Sequence, residues 1–282
     1  MFVDMKLRGF SLKKRLIKIS CIIIILSLFC YWQNNYLQVS QYTYTHSKIN
    51  NELDGFKIVQ ISDLHNKSFG NNQKRLLDEI EKCEPDIIVV TGDVIDANHT
   101  NLSKAMDFFE GAVKIAPVYY ITGNHEYSVS SDIFSRLISG MEELGVCYLD
   151  NECVEIKEGE ETLNLIGLND TSLDNSVLEG IMKNVNTDNF SILLAHEPQY
   201  FSEYCNNDIE LILSGHAHGG QIRLPFIGGL VAPGQGFLPR YTSGKYSEKN
   251  ATMYVSRGLG NSVIPLRIFN FPEIVCIELK ES

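Results

Sequence analysis

Apolar and polar positions set a clear rhythm along the first half of the chain. Phe56-Lys57-Ile58-Val59-Gln60-Ile61-Ser62 alternates as a strand does, with successive side chains on opposite faces. Gln73 to Cys83 sets Leu76, Leu77 and Ile80 at helical spacing and stops short of Pro85. Asp86-Ile87-Ile88-Val89-Val90 is a continuous apolar run, as expected of a strand buried on both faces. The pattern then repeats: a helix over 103–113, a strand over 117–121, and a helix over 132–144 closed by Gly145. From Val146 onward the texture changes to short strands, at 153–157, 162–167, 190–195, 209–213, 252–256 and 274–279. Alternating strands and helices followed by mostly strands predict an α/β sandwich rather than an all-parallel sheet. No break in the pattern divides residues 53–282 into two domains.

The N-terminus follows a different rule. Ile19 to Trp32 is almost wholly apolar, and extending it from Leu16 to Leu37, with Lys18 reaching back to the interface, gives the length needed to span a bilayer. A core helix would not carry the basic flank that precedes it. A cleaved signal peptide shares that flank, but Tyr31-Trp32-Gln33-Asn34-Asn35-Tyr36 offers no small-x-small cleavage site. The sequence therefore predicts a basic cytoplasmic tail (1–15), a transmembrane signal anchor (16–37), a tether or first edge strand (38–52) and one catalytic-sized domain (53–282). Tyr31, Trp32 and Tyr36 would lie at the far interface, placing the domain outside the cytoplasm in a single-pass cell-membrane protein.

Charge agrees with this division. Residues 1–20 carry Lys6, Arg8, Lys13, Lys14, Arg15 and Lys18 against Asp4, a balance of +5, so a chain at −11 overall leaves −16 for the remainder. So acidic a body is a poor partner for nucleic acid, which is bound by neutralising phosphates. The seven cysteines show no paired C-x-x-C spacing, so neither a disulfide framework nor a structural zinc site is indicated.

Five short motifs each follow an apolar run directly: Asp63-x-His65, Gly92-Asp93, Gly123-Asn124-His125-Glu126, His196 and Gly215-His216-x-His218. Loops at the carboxyl ends of strands are where sites form in α/β sheets, so these could converge on one crevice. Singly each is weak: an Asp after a strand is often a helix cap, Gly-Asn is a common turn, and a bare His-x-His is a poor motif. Jointly they gather five of the seven histidines with two aspartates and an asparagine. That donor set suits two divalent ions.

The ordered set of motifs resembles the calcineurin-like metallophosphoesterase superfamily over essentially all of residues 54–279. Gly215 to Pro225 and Tyr254 to Gly260 are similar to a membrane-associated bacterial branch. That branch includes YkuE- and YaeI-type phosphoesterases and a UDP-diacylglucosamine pyrophosphohydrolase of lipid A synthesis. The resemblance implies a four-layer α/β/β/α sandwich and two divalent ions (Mn, Fe or Zn). Asp63, His65 and His218 would hold one ion, Asn124, His196 and His216 the other, and Asp93 would bridge them. His125 would act on the leaving group and Asp96 would orient it.

Where phosphatases of the superfamily continue with Arg-Gly, this chain has Ala97-Asn98. Without that guanidinium fork a phosphomonoester dianion is poorly held. Phosphodiesters or pyrophosphates, lipid-linked or otherwise from the cell envelope, are therefore the expected substrates, with Arg223 and Arg257 as candidate phosphate contacts. Extracytoplasmic phosphomonoester scavenging and a non-enzymatic metal-bearing binding module are the alternatives. The long Gly- and Pro-rich loop 226–244 either covers a core, lines an amphiphilic pocket or touches the bilayer.

Overall fold

The computed structural model describes residues 2–170, 175–261 and 265–282. The chain opens with α1 (Phe2–Asn35) and β1 (Gln38–His46). A strand–helix alternation follows: β2 (Lys57–Ile61), α2 (Lys74–Glu81), β3 (Ile87–Thr91), α3 (Leu102–Ala112), β4 (Val118–Ile121), α4 (Asn124–Tyr127), α5 (Ser131–Glu143) and β5 (Cys147–Tyr148). The second half contains β6 (Glu152–Glu158), β7 (Glu161–Leu168), α6 (Asn175–Met182), β8 (Phe190–Ala195), α7 (Phe201–Tyr204) and β9 (Leu211–Ser214). Two small hairpins come next, β10 (Arg223–Leu224) with β11 (Gly228–Gly229) and β12 (Val231–Ala232) with β13 (Gly236–Phe237). The chain closes with β14 (Gly244–Glu248), β15 (Ala251–Val255) and β16 (Glu273–Glu281).

Two six-stranded sheets result, ordered β1-β16-β2-β3-β4-β5 and β14-β15-β9-β8-β7-β6. Strands β2 to β5 run parallel in the first, and β7, β8, β9 and β15 run parallel in the second. Strand alternation sorts the apolar side chains into three cores. Val59, Ile61, Ile88 and Val90 face α2, α3 and α5, whereas Ile58, Ile87 and Val89 meet Ile192, Leu194, Leu211 and Leu213 across the sandwich. Leu193, Ala195 and Ile212 face α6 and α7 on the outer side. Helix, sheet, sheet and helix are thus stacked in four layers, as the family resemblance implies.

Within residues 38–52, Gln38–His46 takes the edge-strand form. Gln38–His46 pairs residue for residue with Glu273–Glu281 in parallel. Tyr44 is buried between the sheets and its hydroxyl donates to the Glu210 carbonyl at 3.0 Å. Because β1 caps the edge of a sheet, all of its residues but the buried Tyr44 are exposed or only partly buried, which explains its polar composition.

The last turns of α1 pack on the domain. Trp32 and Tyr36 contact Phe271 at ring-centroid distances of 4.9 and 5.0 Å, Phe29 contacts Phe269 at 5.8 Å, and Gln33 is buried. The preceding turns, from Leu16 to Leu28, expose their apolar side chains. The stretch Lys13–Asn35 is 23 residues long, enough by length and composition to cross a membrane.

Leu194 lies in the core between the sheets, two residues before His196. Leu194→Ala is expected to cost about 2–5 kcal/mol of stability, read from the denaturant midpoint of the full chain in detergent. An unchanged midpoint would contradict the packing described.

Candidate metal centre

All the motifs converge at the carboxyl ends of the parallel strands, where the two sheets face each other. Asp63 and His65 follow β2, Asp93 follows β3, Asn124 and His125 open α4 after β4, His196 follows β8, and His216 and His218 follow β9. Five of these, Asp63, His65, Asp93, His216 and His218, have φ between 44° and 63°. Positive φ is unfavourable for residues with a side chain and persists only where surrounding contacts enforce it. Here the backbone is held by cross-loop bonds: Asp63 N–H donates to Gly92 O, His65 N–H to Asp93 O and Gly215 N–H to His196 O, each at 3.0 Å. Gly92 must be glycine on two counts, since its φ is +88° and a Cβ would stand 2.6 Å from Gly123 N and 2.7 Å from His196 Nδ1.

The side chains form two groups able to hold a metal, Asp63–His65–Asp93–His218 and Asp93–His196–His216, and they share Asp93. His65 Nε2 and His218 Nε2 lie 3.2 Å apart, as do His196 Nε2 and His216 Nδ1. Asp93 Oδ2 stands 3.2 Å from His196 Nε2 and 3.5 Å from His65 Nε2; Asp63 Oδ1 stands 3.3 Å from His218 Nε2. His196 presents Nδ1 to the Thr91 carbonyl at 2.7 Å, which leaves the Nε2 lone pair for the cluster. Asn124 Oδ1 is buried with no hydrogen-bond partner, which keeps its lone pairs available to an ion.

The electrostatics point the same way. Burial alone would raise the Asp63 and Asp93 carboxyls, but His218 and His65 around Asp63, and His196 and His65 around Asp93, hold both below the usual carboxylate range. Burial, with His196 nearby, pushes His216 down to about 4; burial despite Asp63 pushes His218 down to about 3. Against their burial, the Asp63 and Asp93 carboxylates in turn raise His65 and His196, so the buried carboxylates draw positive charge onto the nearest rings, a charge that a divalent cation would replace.

Glu126, the last residue of Gly-Asn-His-Glu, is not among the site residues that the sequence predicts, yet it fastens the centre together. Its Oε2 accepts the backbone N–H groups of Asp93 (2.9 Å) and Gly123 (2.8 Å), and its Oε1 those of Val94 (2.9 Å) and Ile95 (3.3 Å). One buried carboxylate thus ties the loop after β3 to the loop after β4. Asp93 Oδ1 completes the tie by accepting the His125 N–H at 2.9 Å.

Asp96 stands at ion-pair and not hydrogen-bond distance from His125. Its Oδ1 is 4.0 Å from His125 Nδ1 and accepts instead from Asn98 N–H at 2.7 Å, a local turn of the Asx kind. The Ala97 N–H donates to His125 Nδ1 at 3.0 Å, so the neutral ring carries its proton on Nε2. Burial lowers the pKa of His125 and favours that neutral form.

The two expected arginine contacts are committed elsewhere as well. Arg223 donates to Gly219 O and Thr242 Oγ1 at the root of the hairpins, and Arg257 pairs with Glu273 at 3.0 Å. The pocket beside the cluster is lined by His65, Lys67, Asp96, Asn98, His99, His125, Asn261 and Pro265. Lys67 is the one lysine or arginine in that lining among the described residues, and its ammonium also donates to the Asn34 carbonyl at the end of α1. Neither Lys67 nor the buried Arg267 beside it stands out in the sequence pattern, because both matter only through contacts with α1 and the 260–270 segment.

Buried Asp and His groups at facing strand ends form a centre able to hold divalent ions, and the comparisons with known proteins place the chain among the hydrolases of phosphoesters. Residues 56–220 match the family model for calcineurin-like phosphoesterases, and the chain belongs to that family. It is similar to the metallophosphoesterase YkuE of Bacillus subtilis, with 31% identity over 259 residues, 89% of this chain and 88% of that one. A zebrafish (Danio rerio) transmembrane protein with metallophosphoesterase domain is 28% identical over 253 residues, 83% of this chain and 55% of the other. Among solved structures, the NAD nucleotidase NadN of Haemophilus influenzae shares the fold at a TM-score of 0.51 and 14% identity, over 72% of this chain and 45% of that one.

Glu126→Gln would turn an amide NH2 toward backbone N–H donors and loosen both loops. Calorimetric titration with Mn²⁺ is expected to show affinity about 10–100-fold weaker than wild type. Equal affinity would contradict the positioning role.

Proposed function

We propose that this protein is a membrane-anchored, two-metal phosphoesterase that cleaves phosphodiester or pyrophosphate bonds, with lipid-linked or other cell-envelope compounds as its substrates. The observation that carries this reading is the place of the pocket, between the metal-capable cluster and the end of the apolar helix. Lys67 lines the pocket and at the same time bonds the last turn of α1. A substrate held by its lipid in the bilayer would present its phosphate at that level. Absence of the arginine fork, with Ala97 and Asn98 in its place and Arg223 and Arg257 occupied, favours a phosphate bearing one charge over a monoester dianion.

The residues divide the work as follows. Asp63, His65 and His218 would hold one divalent ion, Asn124, His196 and His216 the second, and Asp93 both. The ions, when bound, supply positive charge that polarises the phosphoryl group and makes a nucleophile of water near neutral pH. His125, its Nδ1 fixed by Ala97 N–H, keeps a proton on Nε2 for the leaving oxygen. Lys67, its pKa pushed down to about 7 by burial and the nearby Arg267, would take up its proton against a bound phosphate at the pocket wall. The basic residues 6–18 favour a cytoplasmic N-terminus and a domain outside the cytoplasm.

Lys67 also supports a second reading, a phosphomonoesterase, since one lysine can serve as a point charge for a dianion. Hydrolysis of bis-p-nitrophenyl phosphate and of p-nitrophenyl phosphate by the full chain in detergent, stripped of metal and reloaded with Mn²⁺, separates the two. The expected outcome is metal-dependent diester turnover that Asp93→Asn abolishes and His125→Ala reduces about 10²–10⁴-fold. Turnover of the monoester alone would move the second reading to first place, and wild-type turnover by Asp93→Asn would overturn the metal mechanism.

Lys67→Met is expected to raise KM for the diester about tenfold while changing kcat by less than about threefold. An unchanged KM would show that Lys67 does not touch the substrate.

A further inference from the structure

We infer that the two hairpins β10–β11 and β12–β13 form a second membrane contact, seated in the outer layer of the same bilayer that α1 crosses. The inference rests on the anchor reading of α1. The sequence allows the loop that contains them three roles: covering a core, lining a pocket or touching the bilayer. Tyr241 and Ala232 pack into the outer core, but the apolar side chains at the hairpin tips cover nothing: Phe226 is fully exposed, Phe237 is 71% exposed, and Ile227 and Leu238 are more than half exposed.

Two of these residues sit where the backbone resists them. Phe226, in the turn between β10 and β11, has φ +67°, and Leu238, just after β13, has φ +54°. Turn positions with positive φ favour glycine or asparagine, and a bulky apolar residue there is strained. Local stability therefore does not account for Phe226 or Leu238. An apolar surface that receives them would.

The hairpins are continuous with the anchor's own docking surface. Ile222 bridges Ile268 and Arg223 N–H donates to Ile268 O at 3.0 Å, so the root of β10 is bonded to the segment on which α1 packs. The next residue, Phe269, is 54% exposed and contacts Phe29. Phe29 lies three residues before Trp32, which at the helical rise sets it about 4.5 Å deeper into the apolar span. The domain surface at Phe269 is thus already at the level of the bilayer, with the hairpins beside it. Charge fits an anionic lipid surface: from Leu211 to Ser247 there is no aspartate or glutamate, but Arg223, Arg240 and Lys245, in a chain of net charge −11.

The consequence for the site is direct. Leu230 N–H donates to Gly220 O and Ile222 O, so the hairpins rest on the turn that carries His218. Asn270, flanked by Phe269 and Phe271, donates to the carbonyls of both His218 and Gln221. Anchor, hairpins and metal cluster share one framework, and a bilayer contact on two sides would fix the height of the site above the headgroups.

Trp32 is the chain's single tryptophan, which permits a clean test. The full chain is reconstituted in phosphatidylcholine–phosphatidylglycerol vesicles with or without lipids brominated near the glycerol end of the acyl chain. Wild-type Trp32 reports the anchor. In a Trp32→Phe background, Phe226→Trp and, separately, Phe237→Trp report the hairpins. Glu158→Trp serves as control, because Glu158 pairs with Glu161 at the end of β7 remote from the site. Retained turnover of the soluble diester shows that each variant is folded. The expected result is quenching of both hairpin variants by roughly half, as for a side chain inserted below the headgroups, with the control unaffected. Quenching of wild type with none in either hairpin variant overturns the inference while leaving the anchor in place, and shows that the hairpins await a protein partner or solvent. No quenching of wild type overturns the anchor reading, and the inference with it.

Discussion

The structure depends on keeping two ionised carboxylates, Asp63 and Asp93, out of water at the meeting point of two sheets. A buried charge without a partner is strongly unfavourable. Here four histidines surround the pair, His65 and His218 by Asp63, His196 and His65 by Asp93, with His216 against His196. The strained backbone of five of these residues, the glycines that let loops touch and the Glu126 carboxylate that receives four N–H groups all follow from that requirement. Strand ends supply the directions, and the sandwich brings strand ends from both sheets to one place.

The same arrangement joins the metal-capable cluster to the apolar helix. The His218 turn is bonded to Asn270, and the residues on either side of Asn270 are the aromatic rings on which α1 packs. On the other side Lys67 connects the pocket to the Asn34 carbonyl. The helix is therefore a structural part of the domain as well as a hydrophobic segment. In the reading proposed here, the distance between the metal site and the lipid surface is set by packing and not by a flexible linker.

Much of this was legible in the sequence because it is local. Apolar runs ending in Asp-x-His, Gly-Asp, Gly-Asn-His and Gly-His-x-His mark strands that deliver donors, and the structure brings those donors together. What the sequence hid depends on distant pairing. Residues 38–52 read as either a tether or an edge strand, because the partner strand of Gln38–His46 is over 220 residues away. Asp96 faces His125 only at ion-pair distance, and the hydrogen bond to His125 Nδ1 comes from the Ala97 amide. Arg257 looks free until Glu273 meets it, and Glu126 looks incidental until four amides from two loops converge on it. Backbone donors leave no trace in residue type, which is why such roles escape a sequence pattern.

The central claim is that Asp93 is shared by two ions. Electron paramagnetic resonance of the full chain loaded with Mn²⁺ tests it most directly, because ions about 3.5–4 Å apart are spin-coupled. The account predicts two Mn²⁺ per chain and a coupled signal in wild type that Asp93→Asn removes. A signal of isolated Mn²⁺ at full loading, the same with and without the Asp93 carboxylate, would contradict it.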